Sequence, residues 1–531
     1  MLPVLEGPEI VLGLCSPIGT DNDKITALVV KHLHIYGYST STLKLTELMR
    51  SIVLKGQPLI ESPVEKRYDT YIRYANRLRE IYDSDDALVM LSCLAIRNER
   101  EKLRNGGKGH QPNHAYILDQ LKRKEEADTL RQVYGRLFIL ISIYSEKEAR
   151  VRRLANRIRE DYSIAKPTLE HETAARLLIA RDEEEQGEPH GQRLREVFPL
   201  ADLFVNIDDL QQAERVIDRF FRSFFGANNV SPMKDEYGMY IAKAASLRSL
   251  DLSRQVGAAI FSDKGEVIAL GCNEVPKPEG GSYWAEDSDD QRDYAIGGDE
   301  NEKIKRALLL DVARRLREGG FIDEEKEREI VPYITSEATK KGSLLREALV
   351  MDLLEFGRVI HAEMSAISDA ARLGRPIAGA TLYCTTFPCH ICAKHIVAAG
   401  LKRVVFIEPY PKSYAEHLLN SIVVKAGDSE NKKVQFSPFI GASPRRFLEL
   451  YERGRRKDHK GNFIEWINNK PRPIVKYTVP TYLENERAVA KLFVDKTLRL
   501  IDAGLVELRK TRTGAGGNRL RVRQRKTRRP Q

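Results

Sequence analysis

Cysteine is scarce: six residues in a chain of 531 cannot make a disulfide framework, so the thiols are expected to be reduced or to hold a metal. Long apolar runs are missing too. No stretch offers about 18 uninterrupted apolar residues, and the N-terminal MLPVLEGPEI has no basic-then-apolar leader pattern. The expectation is a soluble, cytoplasmic protein with no membrane partner. Acidic residues are absent from the tail, where Arg509 to Gln531 contains ten Lys or Arg and no Asp or Glu. Removing those ten from the 86 Lys and Arg leaves 76, which equals the 76 Asp and Glu, so the formal net charge of +10 belongs to the tail. A neutral body argues against a surface that wraps nucleic acid. The tail, with Gly514, Gly516 and Gly517 inside it, is expected to be a disordered arm, or one that engages a regulatory RNA or other polyanion.

What is present reads as α/β. Apolar runs at Glu9–Leu14, Ala115–Leu118, Leu137–Ile143 and Leu203–Asn206 alternate with helical stretches opening at Asp21, Arg123 and Glu146 and one ending near Phe225, the pattern of a parallel sheet. Breaker residues between Phe225 and Lys234 mark a linker at 226–234. A second domain is expected over 235–455, with a strand pair at Val256–Phe261 and Val267–Cys272 and a charged, Gly- and Pro-rich insertion at about 276–343. A helical extension over 456–508 precedes the basic tail, 509–531.

The chemistry concentrates in His361-Ala362-Glu363 and, 28 positions after His361, Pro388-Cys389-His390-Ile391-Cys392. Cysteines three apart behind a proline sit at a helix start, where exposed N–H groups and the helix dipole favour thiolate, the form that binds metal. His361 opens another helix, and the apolar strand Ala380–Cys384 between the two brings both helix starts to one sheet edge. Three ligands, His361, Cys389 and Cys392, leave a fourth position open, which is the arrangement of a catalytic rather than a structural Zn2+. Glu363, two residues from His361, is placed to carry a proton beside that metal. A redox pair or half of a structural finger is the competing reading of Cys389 and Cys392, but no second Cys pair exists.

This H-x-E and P-C-x-x-C set is the signature of zinc nucleobase deaminases. Together with Ser253–Ala258, Gly271-Cys272-Asn273 and Thr381–Phe387, it resembles the cytidine and deoxycytidylate deaminase superfamily over roughly 235–455. The resemblance implies a three-layer α/β/α domain and hydrolytic deamination at C4 of cytosine. It also implies Glu363 as the catalytic proton carrier, and substrate contacts from Arg254, Asn273, Thr385, Phe387 and Lys412. One position departs from the pattern: deoxycytidylate deaminases usually carry Asn two residues after the catalytic Glu, and here that residue is Ser365, which bears on monophosphate specificity.

Gly13 to Thr20 follows a strand and opens a helix, where a phosphate-binding loop belongs. It has one residue more between its glycines than Walker A, and no lysine precedes Thr20, so a β/γ-phosphate lacks its usual partner. With Leu118-Asp119, Lys122–Glu126, Phe138–Ile143, Arg150, Arg153 and Ala201-Asp202 it resembles nucleoside-monophosphate kinases. That implies a degenerate P-loop kinase-like domain over 8–225, with Gly13, Ser16, Gly19, Thr20 and Asp119 contacting a nucleotide effector. Such a domain fused to a deoxycytidylate-type deaminase resembles the anti-phage dCTP deaminases, which implies a homo-oligomer that converts free dCTP or dCMP and depletes the deoxycytidine nucleotide pool. A nucleic-acid-editing deaminase and a nucleotide-sensing module with a silent deaminase fold are the alternatives. The neutral body argues against the first, and the intact His361, Glu363, Cys389 and Cys392 set against the second.

Overall fold

Ile10–Cys15 and Phe138–Tyr144 are buried from end to end, as strands are when both faces of a parallel sheet are covered. They are β1 and β5 of a sheet whose other early strands are β2 (Ser39–Lys44), β4 (His114–Leu121) and β6 (Leu203–Asn206); β3 (Ile52–Leu54) lies outside it. The computed structural model describes residues 5–107, 109–162, 166–183, 185, 188–337, 343, 345, 348–408, 413–425, 432–469, 471–475 and 479–509. The tail from residue 510, part of the 276–343 insertion and Lys412 lie outside the described residues.

The chain divides into two units, Met1–Glu236 with Ile440–Gln531, and Tyr237–Phe439. In the first, β2, β4, β1, β5 and β6 are neighbours in that order, all parallel. The sequence reading contains no strand over Ser39–Lys44, because β2 pairs with β4 alone, is half exposed and is built of Ser and Thr rather than an apolar run. At the carboxyl end of β4 the register against β1 slips, and Gln120 takes a left-handed φ of +78°. This bulge turns the strand end as the chain leaves the sheet.

The second unit has β7 (Gly257–Phe261), β8 (Val267–Cys272), β9 (Thr381–Cys384), β10 (Arg403–Phe406), β11 (Ile422–Val424) and β12 (Val434–Pro438), in the order β8-β7-β9-β10-β12-β11. β7 is antiparallel to both its neighbours and the rest are parallel. Its core, including Ala258, Ile260, Ala366, Leu382, Ile396, Val404 and Phe436, lies between this sheet and its helices. Helices Glu300–Glu318 and Glu324–Glu337 occupy the expected insertion.

The partition departs from the expected domain limits. The boundary at 236/237 falls inside the helix Lys234–Ser246, so the breakers at 226–233 end one helix and do not link two domains. Residues 440–455 pack with the first unit: β13 (Gly441–Ala442) pairs antiparallel with β6, and Glu236 accepts the Ala442 N–H at 2.9 Å. The 456–508 extension also joins the first unit. β14 (Val506–Leu508) pairs with β3, and the helix Tyr482–Asp502 buries Glu486 against Arg100 through two hydrogen bonds of 2.6 and 2.7 Å. Tyr134 Oη donates to the same carboxylate at 2.8 Å, and Arg100 also donates to Glu9 at 2.7 Å. Breaking a buried pair leaves an uncompensated charge, so Glu486→Ala is expected to cost about 3–5 kcal/mol, read as a lower denaturant midpoint of the full chain. A loss below about 1 kcal/mol, the scale of an exposed pair, would show that the helix is not held this way.

Among the described residues no helix is long and apolar enough to cross a membrane.

Candidate functional site

His361 is the N-cap residue of the helix Ala362–Arg372, and Cys389 is the N-cap of His390–Ala398. The strand between them, β9, runs in the middle of the second sheet, so helix, strand and helix return both caps to one edge, as their order along the chain requires. His361 Nδ1 lies 3.4 Å from Cys389 Sγ and 3.3 Å from Cys392 Sγ. The three ligand atoms fall within 4.8 Å of one another. Bonds of about 2.3 Å to sulfur and about 2.1 Å to nitrogen put tetrahedral zinc donors roughly 3.6 Å apart, and two sulfurs with one imidazole suit zinc. The residues fit the ion.

Electrostatics favour one thiolate, at Cys389. Cys389 is pushed down to about 4, chiefly by the hydrogen bond from Cys392. The Cys392 N–H also reaches Cys389 Sγ at 3.5 Å, the N-cap contact that a thiolate accepts. Cys392 is raised, that same sulfur–sulfur hydrogen bond being the largest cause and burial the next. Glu363, the second residue of its helix, is 3% exposed, and burial raises its carboxyl above the usual carboxylate range. Cys384, wholly buried at the end of β9, has its thiol raised, chiefly by burial and next by the charge of the nearby Glu363. The sequence reading treats Cys384 as isolated; only the packing of the helix Ala362–Arg372 on the sheet brings it near Glu363.

The expected substrate residues divide. Arg254 has a side chain 63% exposed, with Nη1 3.7 Å from Glu408, whose carboxylate accepts from Thr386 Oγ1 at 2.8 Å. It is free to turn towards an anion. Thr385 is fastened to β7: its hydroxyl accepts the Gly257 N–H at 3.1 Å and its own N–H donates to Gly257 O at 3.0 Å. Asn273 uses its carboxamide on the backbone, donating to Arg254 O and accepting from the Val256 N–H, both at 2.7 Å. It therefore positions the segment that carries Arg254, where a sugar contact was expected. Phe387 is buried edge-on against Phe406 and tilted against Phe436, with ring centres 4.7 and 5.5 Å away, and packs into the core. Glu408 belongs to none of the motifs above, and only the fold joins it to Thr386 of the Thr381–Phe387 segment.

Gly271 is the most informative residue that the sequence reading used only as a motif member. A Cβ there would stand 2.2 Å from Ala362 O and 2.5 Å from Ala366 N. The backbone of the helix that begins beside His361 thus lies directly on β8, and only glycine admits that approach.

The expected nucleotide residues of the first unit are only partly together. Ser16, Gly19 and Thr20 line one cleft, with Gly19 at φ +85° in the turn after β1. Asp119 stands behind it, accepting from Asn22 Nδ2 at 2.7 Å. Gly13 does not join them: it is inside β1, where a Cβ would meet the Leu121 side chain at 2.4 Å, so its smallness serves sheet packing.

Residues 232–408 match the family described as the cytidine and deoxycytidylate deaminase zinc-binding region. The deoxycytidylate deaminase of Enterobacteria phage T2 is 52% identical over 54 residues, 10% of this chain and 29% of that protein. That of Mus musculus is 24% identical over 172 residues, 32% of this chain and 63% of the relative. The chain spans less than two thirds of the length of either. Among solved structures, a dCMP deaminase from cyanophage S-TIM5 in complex with dCMP and dUMP is 20% identical, covers 39% of this chain and 98% of that one, and gives a TM-score of 0.22. Residues 232–408 are similar to that zinc-binding region over about a third of the chain, and the His/Cys/Cys cluster within them is a zinc site.

Proposed function

We propose that the protein hydrolyses the C4–N bond of free deoxycytidine nucleotides, dCTP or dCMP, giving the uracil nucleotide and ammonia. The observation that carries the reading is the His361, Cys389 and Cys392 cluster with a buried carboxyl, Glu363, beside it. Zinc on those three residues supplies the Lewis acidity that makes water nucleophilic near neutral pH. Glu363 takes the proton of the attacking water, gives it to N3 of the base, and later moves a proton to the departing amine. Its low exposure keeps bulk water from competing for that proton. Arg254 at the rim offers a guanidinium to a substrate phosphate.

The same reading assigns the reaction to depletion of the deoxycytidine nucleotide pool during phage infection, by a homo-oligomer whose first unit senses an effector and whose basic tail engages RNA or another polyanion. What supports it is the resemblance of the two halves, in this order, to the anti-phage dCTP deaminases.

One assay tests the chemistry. Purified protein incubated separately with dCTP, dCMP, CTP and single-stranded DNA should form the deoxyuridine nucleotide and ammonia from a free deoxynucleotide, and treatment with a zinc chelator should abolish this. Conversion of the polymer alone would replace the reading with nucleic-acid editing. No conversion of any substrate, with nucleotides also supplied as effectors, would end the enzymatic reading.

A further inference from the structure

The segment from Ser249 to Val256, which leads into β7 and carries Arg254, has little apolar surface to hold it. Only its two ends are buried; Leu250, Leu252, Ser253, Arg254 and Gln255 are exposed. Hydrophobic burial cannot fix its shape, so polar contacts must. Asp251 Oδ1 accepts the N–H groups of Ser253 and Arg254 at 2.9 and 3.1 Å, which curls the segment on itself. Its ties to the rest of the unit run to the residues that follow β8. Asn273 clasps one end through Arg254 O and the Val256 N–H.

Glu274 holds the other end. Its Oε2 accepts the Leu250 N–H at 2.8 Å, while Oε1 accepts the Val275 N–H at 2.9 Å and so locks the carboxylate against its own backbone. The backbone of the same residue pairs elsewhere: Glu274 N–H donates to Ile360 O at 3.2 Å and Glu274 O accepts the Ile360 N–H at 3.1 Å, an isolated antiparallel bridge. Ile360 immediately precedes His361, a zinc ligand and the cap of the helix that carries Glu363. One residue thus fastens the Arg254 segment by its side chain and the entry to the zinc site by its main chain. Arg254 is close enough for its charge to bear on His361. Glu274 is 1% exposed and cannot itself reach a ligand.

We propose that Glu274 is a positioning residue which sets the reach of Arg254 over the zinc site, and with it the affinity for the substrate phosphate. This rests on the deamination reading, in which Arg254 meets that phosphate.

Steady-state kinetics of the zinc-loaded full chain with dCMP and dCTP, beside hydrogen exchange, test it. Glu274→Ala should raise KM about tenfold, the scale of a lost charge-assisted hydrogen bond, with kcat and zinc content nearly unchanged, the split that marks lost ground-state binding. Glu274→Gln, a neutral acceptor that bonds about half as strongly, should raise it about threefold. Introduced into Arg254→Ala, Glu274→Ala should add less than about twofold, because the two act as one unit. Amides of residues 250–256 should exchange faster in Glu274→Ala and those of the helix Ala362–Arg372 should not. The proposal falls if kcat drops with KM unchanged, if KM rises equally with and without Arg254, or if exchange over 250–256 is unaltered. Should Glu274→Ala fail to fold, Glu274→Gln decides by the same readouts. If the wild type turns over neither nucleotide, the deamination reading fails, and unaltered exchange over 250–256 would still refute the hold of Glu274 on the segment.

Discussion

Glu363→Gln is expected to lower kcat by about 10²- to 10⁴-fold, the usual contribution of one general acid–base group, with KM and zinc content nearly unchanged. The substitution keeps the volume and hydrogen-bonding shape of the side chain and removes its ability to carry a proton. Zinc should stay, because Glu363 is not among the three residues whose ligand atoms cluster. Because the residue is 3% exposed, water has little access with which to replace it as a proton relay. Zinc analysis beside steady-state kinetics checks both halves. Turnover within about tenfold of wild type would assign the proton transfers elsewhere, since a single general base contributes more than that.

The second large effect should come from a residue that touches no substrate. In Gly271→Ala the added Cβ would meet Ala362 O at 2.2 Å and Ala366 N at 2.5 Å, both helix backbone, so the helix Ala362–Arg372 must move away from β8. Overpacking of this kind costs about 1–3 kcal/mol. The kinetic loss should be larger than the stability loss suggests, since Glu363 rides on that helix and His361 caps it. A displacement of about 1 Å can cost about 10²-fold in rate. Gly454→Ala is the control: a Cβ there meets nothing, and neither activity nor stability should change. If Gly271→Ala keeps full activity, the close approach of helix and strand is not what sets the positions of His361 and Glu363.

How much of this was legible beforehand depended on whether a feature is local. β6 and β8 were placed by their apolar runs with the observed limits, and the helices of both zinc-site caps by Pro388 and the following pattern. Ser39–Lys44 was missed because an edge strand needs no apolar run, and 440–508 was assigned away from the first unit because pairing of β13 with β6 and β14 with β3 spans hundreds of residues. Phe387 stood in the right motif for a base contact, yet nothing local told its core face from its substrate face.

The sequence by itself picked out the three zinc ligands and set Glu363 beside them, because His-x-Glu and Pro-Cys-x-x-Cys are short-range patterns in which helix geometry fixes the side-chain directions. It also determined that the positive charge belongs to the tail. Only the tertiary structure decided that Cys384 lies near Glu363, that Gly271 seats the helix Ala362–Arg372, and that Asp182 caps the Ile18 N–H in the loop after β1. The Gly271–Ala362 and Ile18–Asp182 contacts join residues 91 and 164 positions apart, and Cys384 and Glu363 meet only because a helix packs on the sheet. Periodicity and spacing carry no information on which distant atoms meet; packing and burial do.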